Sequence, residues 1–243
     1  MTLLVFLLAL LTALATGLGA APFVFAKELA RRWLGVSNAA AAGLMLAASL
    51  GLAYEGAGRG AFGVLAGAVT GLVFVVAVRR LIALDEHPAV FAGMSGLDAR
   101  KGLLIVGVMT AHSAAEGVGV GVAFGGGAEL GLVIALAIAV HNIPEGLAIS
   151  LVLVPRGVGV GRAALWSVFS SLPQPLLAVP AFLFVETFDA LLPYGLGFAA
   201  GAMIWMVFAE LVPDAREDAP GLLVVAAIAL SAAAMAAFGL LIG

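Results

Sequence analysis

Eight apolar runs constrain this chain more than any other feature. They cover roughly residues 2–25, 38–54, 61–78, 102–124, 130–154, 163–185, 193–212 and 221–242. A helix needs about 20 apolar residues to cross a hydrocarbon core of about 30 Å. In lipid the backbone must satisfy its own hydrogen bonds, so runs of this length fold as helices. The expected fold class is therefore all-α: a polytopic membrane protein with eight transmembrane helices, one transmembrane domain over residues 1–243. Composition agrees, with 64% hydrophobic and 10% charged residues, against about 45–50% and 25% in soluble domains. The first run has the look of a signal peptide. No positive charge precedes "MTLLVFLLALL", however, and the run is long enough to span, so it reads as a helix.

Charge placement orients the helices. With the N-terminus outside, the cytoplasmic connections hold Lys27, Arg31, Arg32, Arg79, Arg80, Arg100, Lys101, Arg156, Arg162 and Arg216, and the outer ones hold Arg59 alone. Ten against one follows the positive-inside rule. The expectation is a multi-pass protein of the cell inner membrane with both termini outside. The longest connection, 79–101, carries Asp85, Glu86, His87, Pro88, Asp98, Arg100 and Lys101. Glu55 with Arg59, and Asp85 with Glu86, read as solvated groups at membrane edges. A net charge of −3 gives no reason to expect a nucleic-acid partner.

An internal repeat is legible as well. "AAGLMLAAS" (41–49) and "AAGAMIWMV" (199–207) share the Ala-Ala-Gly-x-Met frame, on spans that run in opposite directions in this topology. An inverted repeat around a central helix pair is a transporter architecture with its substrate site near the midplane. Gly63, Gly67 and Gly71, like Gly117, Gly121 and Gly125, recur every four residues. Such spacing marks close-packing helix faces. "GVGVGVAFGGG" is no phosphate loop, since neither a strand nor a Lys-Ser/Thr pair accompanies it.

The central spans carry polar groups that no lipid-facing helix needs. The fourth holds His112, Ser113 and Glu116; the fifth, "IALAIAVHNIPEGLAISLVLV", holds His141, Asn142 and Glu145. A carboxylate at the bilayer centre costs about 2.5–3.5 kcal/mol on insertion scales. His-x-x-x-Glu places both side chains on one helix face, a single turn apart. His112 lies 11 residues from Lys101 and His141 lies 12 from Glu129, so both reach about 17 Å depth. A short turn makes these two helices antiparallel neighbours, and the depths coincide. Pro144 donates no hydrogen bond to the Val140 carbonyl, so a distortion is expected there. Two imidazoles, two carboxylates and an amide suit a borderline divalent cation, whose charge also cancels that of the carboxylates. The chain has no cysteine, so nitrogen and oxygen must supply the ligands. The zincin motif His-Glu-x-x-His is absent, and no enzyme is expected.

"HNIPEG" on the fifth span, after a His-x-x-x-Glu-Gly fourth span, resembles the ZIP (Zrt/Irt-like) metal transporters. "AAGLMLAAS" and "FAAGAMIWMVFAELVPD" resemble the second and seventh helices of the GufA-like and ZupT-like bacterial branch. The resemblance covers nearly the whole chain. It implies import of a divalent transition metal, chiefly Zn²⁺, held between the fourth and fifth helices by His112, Glu116, His141 and Glu145. Asn142 and Gln174 would stand beside them as weak oxygen ligands or water contacts. It further implies an elevator-type movement of a metal-carrying helix group against a scaffold that forms a homodimer.

The chain departs from the family pattern at several positions. Ser113 and Ala115 stand where many members have Asn and Pro, and Gln174 where relatives often place a Glu serving a second metal. The second helix is apolar near Leu52 at the usual carboxylate position. The long cytoplasmic loop, His-rich in many members, holds only His87. One metal is expected rather than two. Two other readings stay open: a proton-coupled transporter of an organic substrate, and a metal-binding membrane receptor without flux.

Overall fold

The apolar runs become helices because nothing inside them competes with the helical hydrogen-bond ladder. The computed structural model describes residues 1–26, 30–84 and 90–242. Lys27, Asp85, Glu86, His87 and Pro88 lie outside the described residues. Ten α-helices are described: α1 (Thr2–Gly17), α2 (Pro22–Phe25), α3 (Arg31–Leu84), α4 (Gly96–Gly126), α5 (Ala128–Leu153), α6 (Val160–Ser171), α7 (Pro173–Thr187), α8 (Leu192–Met206), α9 (Val212–Asp218) and α10 (Gly221–Ile242). A two-residue hairpin, β1 (Val90–Phe91) paired with β2 (Met94–Ser95), turns through Ala92 and Gly93. It was not legible in the sequence. The protein is otherwise all-α, and its long apolar helices are those of a multi-pass membrane protein.

Seven helical stretches among the described residues are long and apolar enough to cross a membrane, where eight were expected. The difference lies in α3, which unites the second and third expected spans and breaks its helical geometry at Gly60. The turn there is too tight to leave a loop. The first arm runs against α8, with Gly56 facing Leu196 and Gly60 facing Pro193; the second runs with it, with Gly67 facing Tyr194 and Gly71 facing Phe198. The two Ala-Ala-Gly-x-Met frames therefore sit on antiparallel neighbours.

The turn between α4 and α5 is also shorter than the five-residue gap expected at 125–129. Both helices extend until Gly127 alone separates them, at φ 142° and ψ 154°. That backbone is open to glycine and strained for any side chain.

Glycine spacing sets which helices approach closely. A Cβ on Gly67, Gly71, Gly197 or Gly201 would strike backbone oxygens across the α3–α8 contact. Gly117 and Gly121 bring α4 against the backbone of α7 in the same way, and Gly146 brings α5 onto Thr16 of α1. The packing thus gathers α1 and α4–α7 on one side. It sets α3 and α8 on the other, with α10 lying mainly on α3. Met45, Leu52, Ile134, Ile138, Met203 and Met206 fill the core between the two groups.

Charge segregates by end. Met1 lies with Gly125, Gly127, Ala128, Glu186 and Asp189 at one end. Arg59 is there too, donating to the Gly126 carbonyl at 3.0 Å and to Glu55 at 3.0 Å. The other end holds Arg156 on Asp98 at 2.9 Å, Arg162 on the Ala92 carbonyl and Arg31 near Asp218.

Candidate metal site

Helices α4 and α5 supply the centre of the site because each repeats His-x-x-x-Glu one turn apart, at matching depth. The structure brings His112, Glu116, His141 and Glu145 together, none more than 2% exposed. Asn142 and Gln174 are buried beside them. His141 Nε2 lies 2.6 Å from Glu116 Oε1 and 3.4 Å from Glu145 Oε1. His112 Nε2 lies 3.2 Å from Glu145 Oε1. Ligand atoms of His112, Glu116 and Glu145 all fall within 4.8 Å of one another.

Proximity does not satisfy these groups. Among the described residues, His112 Nε2 and both Glu145 oxygens have no hydrogen-bond partner of acceptable geometry. The 3.2 Å approach of His112 to Glu145 is thus an electrostatic contact without a directed hydrogen bond. Leaving a buried polar group unpaired costs about 1–3 kcal/mol, and more when the group is charged. These three atoms lie beside His141 and Glu116, so nitrogen and oxygen donors alone are gathered here. That donor set fits a divalent cation of intermediate softness.

The two amides are differently placed. Pro173 opens α7 and Pro175 follows, so the helical run from α6 is reset there, and Gln174 falls in the first turn facing α4 and α5. Gln174 Nε2 donates to Glu116 Oε2 at 2.6 Å. Its Oε1 accepts from Asn142 Nδ2 at 3.0 Å and faces the Thr12 hydroxyl at 2.5 Å. Asn142 Nδ2 also donates to the Thr12 carbonyl at 2.7 Å. Gln174 therefore meets the cluster with its N–H, and its oxygen turns to α1.

Two residues escaped sequence reasoning. Thr12 lies on the buried stripe Val5, Ala9, Thr12, Ala13, Thr16, whose helical spacing was a usable signal. Glu210 reaches His112 Nδ1 at 3.5 Å and Arg79 at 3.5 Å from the other helix group. It stands in a π-helical turn, Val207–Leu211, just before Pro213. Pro144, where a distortion was expected, lies inside α5, which continues as a helix through it. A proline two residues beyond the π turn accounts for its position, since Pro213 gives no N–H to the Ala209 carbonyl.

A cavity of about 390 Å³ connects the cluster to the basic end. Glu145, Met109 and Glu210 line it, with Arg79, Lys101, Arg156 and Asp214.

Comparison with known proteins gives a consistent picture. The family model described as ZIP zinc transporter matches residues 62–241. The chain is 49% identical over 97% of its length to an Arabidopsis thaliana protein named as a candidate zinc transporter, of which it spans 38%. It is 34% identical to the zinc transporter GufA of Myxococcus xanthus, with 86% of this chain and 87% of that protein covered. Identity to the zinc transporter ZupT of Clostridium perfringens is 27%, over 88% and 87%.

Proposed function

The chain belongs to the ZIP zinc transporter family, and from that premise we propose that it imports a divalent transition metal, Zn²⁺ first, through a site between α4 and α5. The observation that carries this reading is the convergence of unpaired His112 Nε2 and Glu145 oxygens on the His141–Glu116 pair. His112, His141, Glu116 and Glu145 are the proposed ligands. Two carboxylates balance one divalent charge, which offsets the cost of holding them at mid-membrane depth.

Alternating access follows from which helices carry the ligands. All four stand on α4 and α5, within one packed group, and Glu210 stands on the other. In the proposed mechanism α1 and α4–α7 move as one domain against α3 and α8–α10, carrying the ion across. The cavity leads from Glu145 to Lys101 and Arg156, so this conformation opens to the cytoplasm in the positive-inside orientation. With α3 counted as two crossings that meet at Gly60, the proposed topology has eight in a single domain with both termini outside.

Purified protein in proteoliposomes tests the reading. Zn²⁺ should enter loaded vesicles, and His112→Ala or His141→Ala should abolish entry while the protein still assembles. Binding without flux would leave a receptor; flux of protons without metal dependence would leave the organic-substrate reading.

A further inference from the structure

We propose that Gln174, held by Thr12 and Asn142, sets metal selectivity by limiting Glu116 to a single donor oxygen. The inference rests on the metal site proposed above. Every hydrogen-bonding group of the Gln174 amide is engaged. Nε2 donates to Glu116 Oε2 at 2.6 Å and lies 3.4 Å from Asn142 Oδ1. Oε1 takes the Asn142 N–H at 3.0 Å and the Thr12 hydroxyl at 2.5 Å. Thr12, Asn142 and Gln174 are all buried, so bulk solvent does not compete for these contacts.

The neighbours also fix which way the amide points. A flipped Gln174 would set its carbonyl oxygen 2.6 Å from a carboxylate oxygen and its N–H₂ 3.0 Å from that of Asn142. Acceptor would face acceptor, and donor would face donor. Asn142 cannot flip in compensation, because its N–H₂ is also bound to the Thr12 carbonyl at 2.7 Å. The Thr12 hydroxyl has a second acceptor within reach, the Ala9 carbonyl at 2.7 Å, and the contact to Gln174 is the shorter.

The Gln174 N–H draws Oε2 away from the cluster and so turns Glu116 to offer Oε1, the oxygen on the His141 side, to an ion. A carboxylate confined to one oxygen serves a low coordination number. Together with His112, His141 and Glu145 it makes a set of two nitrogens and two carboxylates, which suits four-coordinate Zn²⁺. Mn²⁺ favours six ligands, mostly oxygen, and gains where a carboxylate can bind through both oxygens. Releasing Oε2 should therefore favour Mn²⁺ over Zn²⁺.

Calorimetric titration of the purified full chain with Zn²⁺ and with Mn²⁺ tests this. Outer partners of metal ligands typically change affinity by about 10–100-fold. Thr12→Val, which keeps shape and removes the hydroxyl, and Gln174→Leu should each lower the Zn²⁺:Mn²⁺ affinity ratio about tenfold. Thr12→Ser should restore the wild-type ratio. A purely structural role would weaken both ions in parallel and leave the ratio unmoved, and that result in Thr12→Val or Gln174→Leu overturns the proposal. Absence of any His112-dependent binding in the wild type would instead overturn the site itself.

Discussion

At the scale of single residues, the site separates charge from position. As proposed ligands, His112 and His141 each offer an imidazole nitrogen that only a deprotonated ring can give, so protons and metal should compete. Metal affinity should fall steadily as pH drops through the range where imidazole and carboxylate take up protons. Titration of Zn²⁺ binding against pH measures this, and a flat profile would contradict the assignment. Glu116→Gln and Glu145→Gln are nearly isosteric; each should weaken Zn²⁺ binding at least tenfold, as expected for a removed ligand charge, with little change in thermal unfolding. Gln174→Glu tests the number of ions. It replaces an N–H donor with a second carboxylate 2.6 Å from Glu116 Oε2, an arrangement that calls for a second cation. Calorimetry should give one ion per wild-type chain and two for Gln174→Glu. Two midplane ions in the wild type would refute this.

At the scale of elements, the sequence revealed those relations that lie within one helix. His-x-x-x-Glu on α4 and on α5 was readable because residues four apart share a helix face, and matched depth followed from a constant rise per residue. What joins separate helices was not readable. The Thr12–Gln174–Asn142 contacts link α1, α7 and α5, and no local spacing encodes them. Glu210 was hidden for a related reason: its aim depends on the π turn ahead of Pro213, which shifts the register of every later side chain. The boundary between the second and third runs, 55–60, was readable, but not that the chain turns there at Gly60 without a loop between two helical arms. Glycine periodicity did announce close contacts, and it supports a prediction at this scale. On Gly201 of α8 an added Cβ would meet the Ala68 carbonyl, a backbone atom that cannot rotate aside. Gly201→Val should destabilise the protein by about 1–3 kcal/mol, as overpacking does. Because the proposed ligands stand on neither α3 nor α8, Zn²⁺ affinity of the folded protein should stay near wild type. Denaturation and calorimetry on one preparation distinguish the two effects.

At the scale of the whole molecule, the cavity beside the cluster leads toward one end. That route passes Glu145 and Glu210 to the basic residues Arg79, Lys101 and Arg156. At the opposite end Arg59, held by Glu55, spans the boundary between the helix groups to reach the last carbonyls of α4, where a cation is favoured by the helix dipole. If α1 and α4–α7 travel as one domain, α4 must leave Arg59 in every transport cycle. The absence of native cysteine makes this directly testable. Single cysteines first establish sidedness: an impermeant maleimide added to intact cells should label exposed Ala128→Cys and spare exposed Leu97→Cys. The reverse pattern would invert the topology. A second chain, carrying Arg59→Cys together with Ala128→Cys, then ties the helix groups at the outer end through a short bismaleimide. Linked protein should still bind Zn²⁺, since the route from the basic end is untouched, and should carry none across proteoliposomes. Either cysteine alone, treated with the same reagent, should transport. Wild-type flux in the fully linked protein would show that the two groups need not separate at that end, and the rigid-domain movement would have to be abandoned.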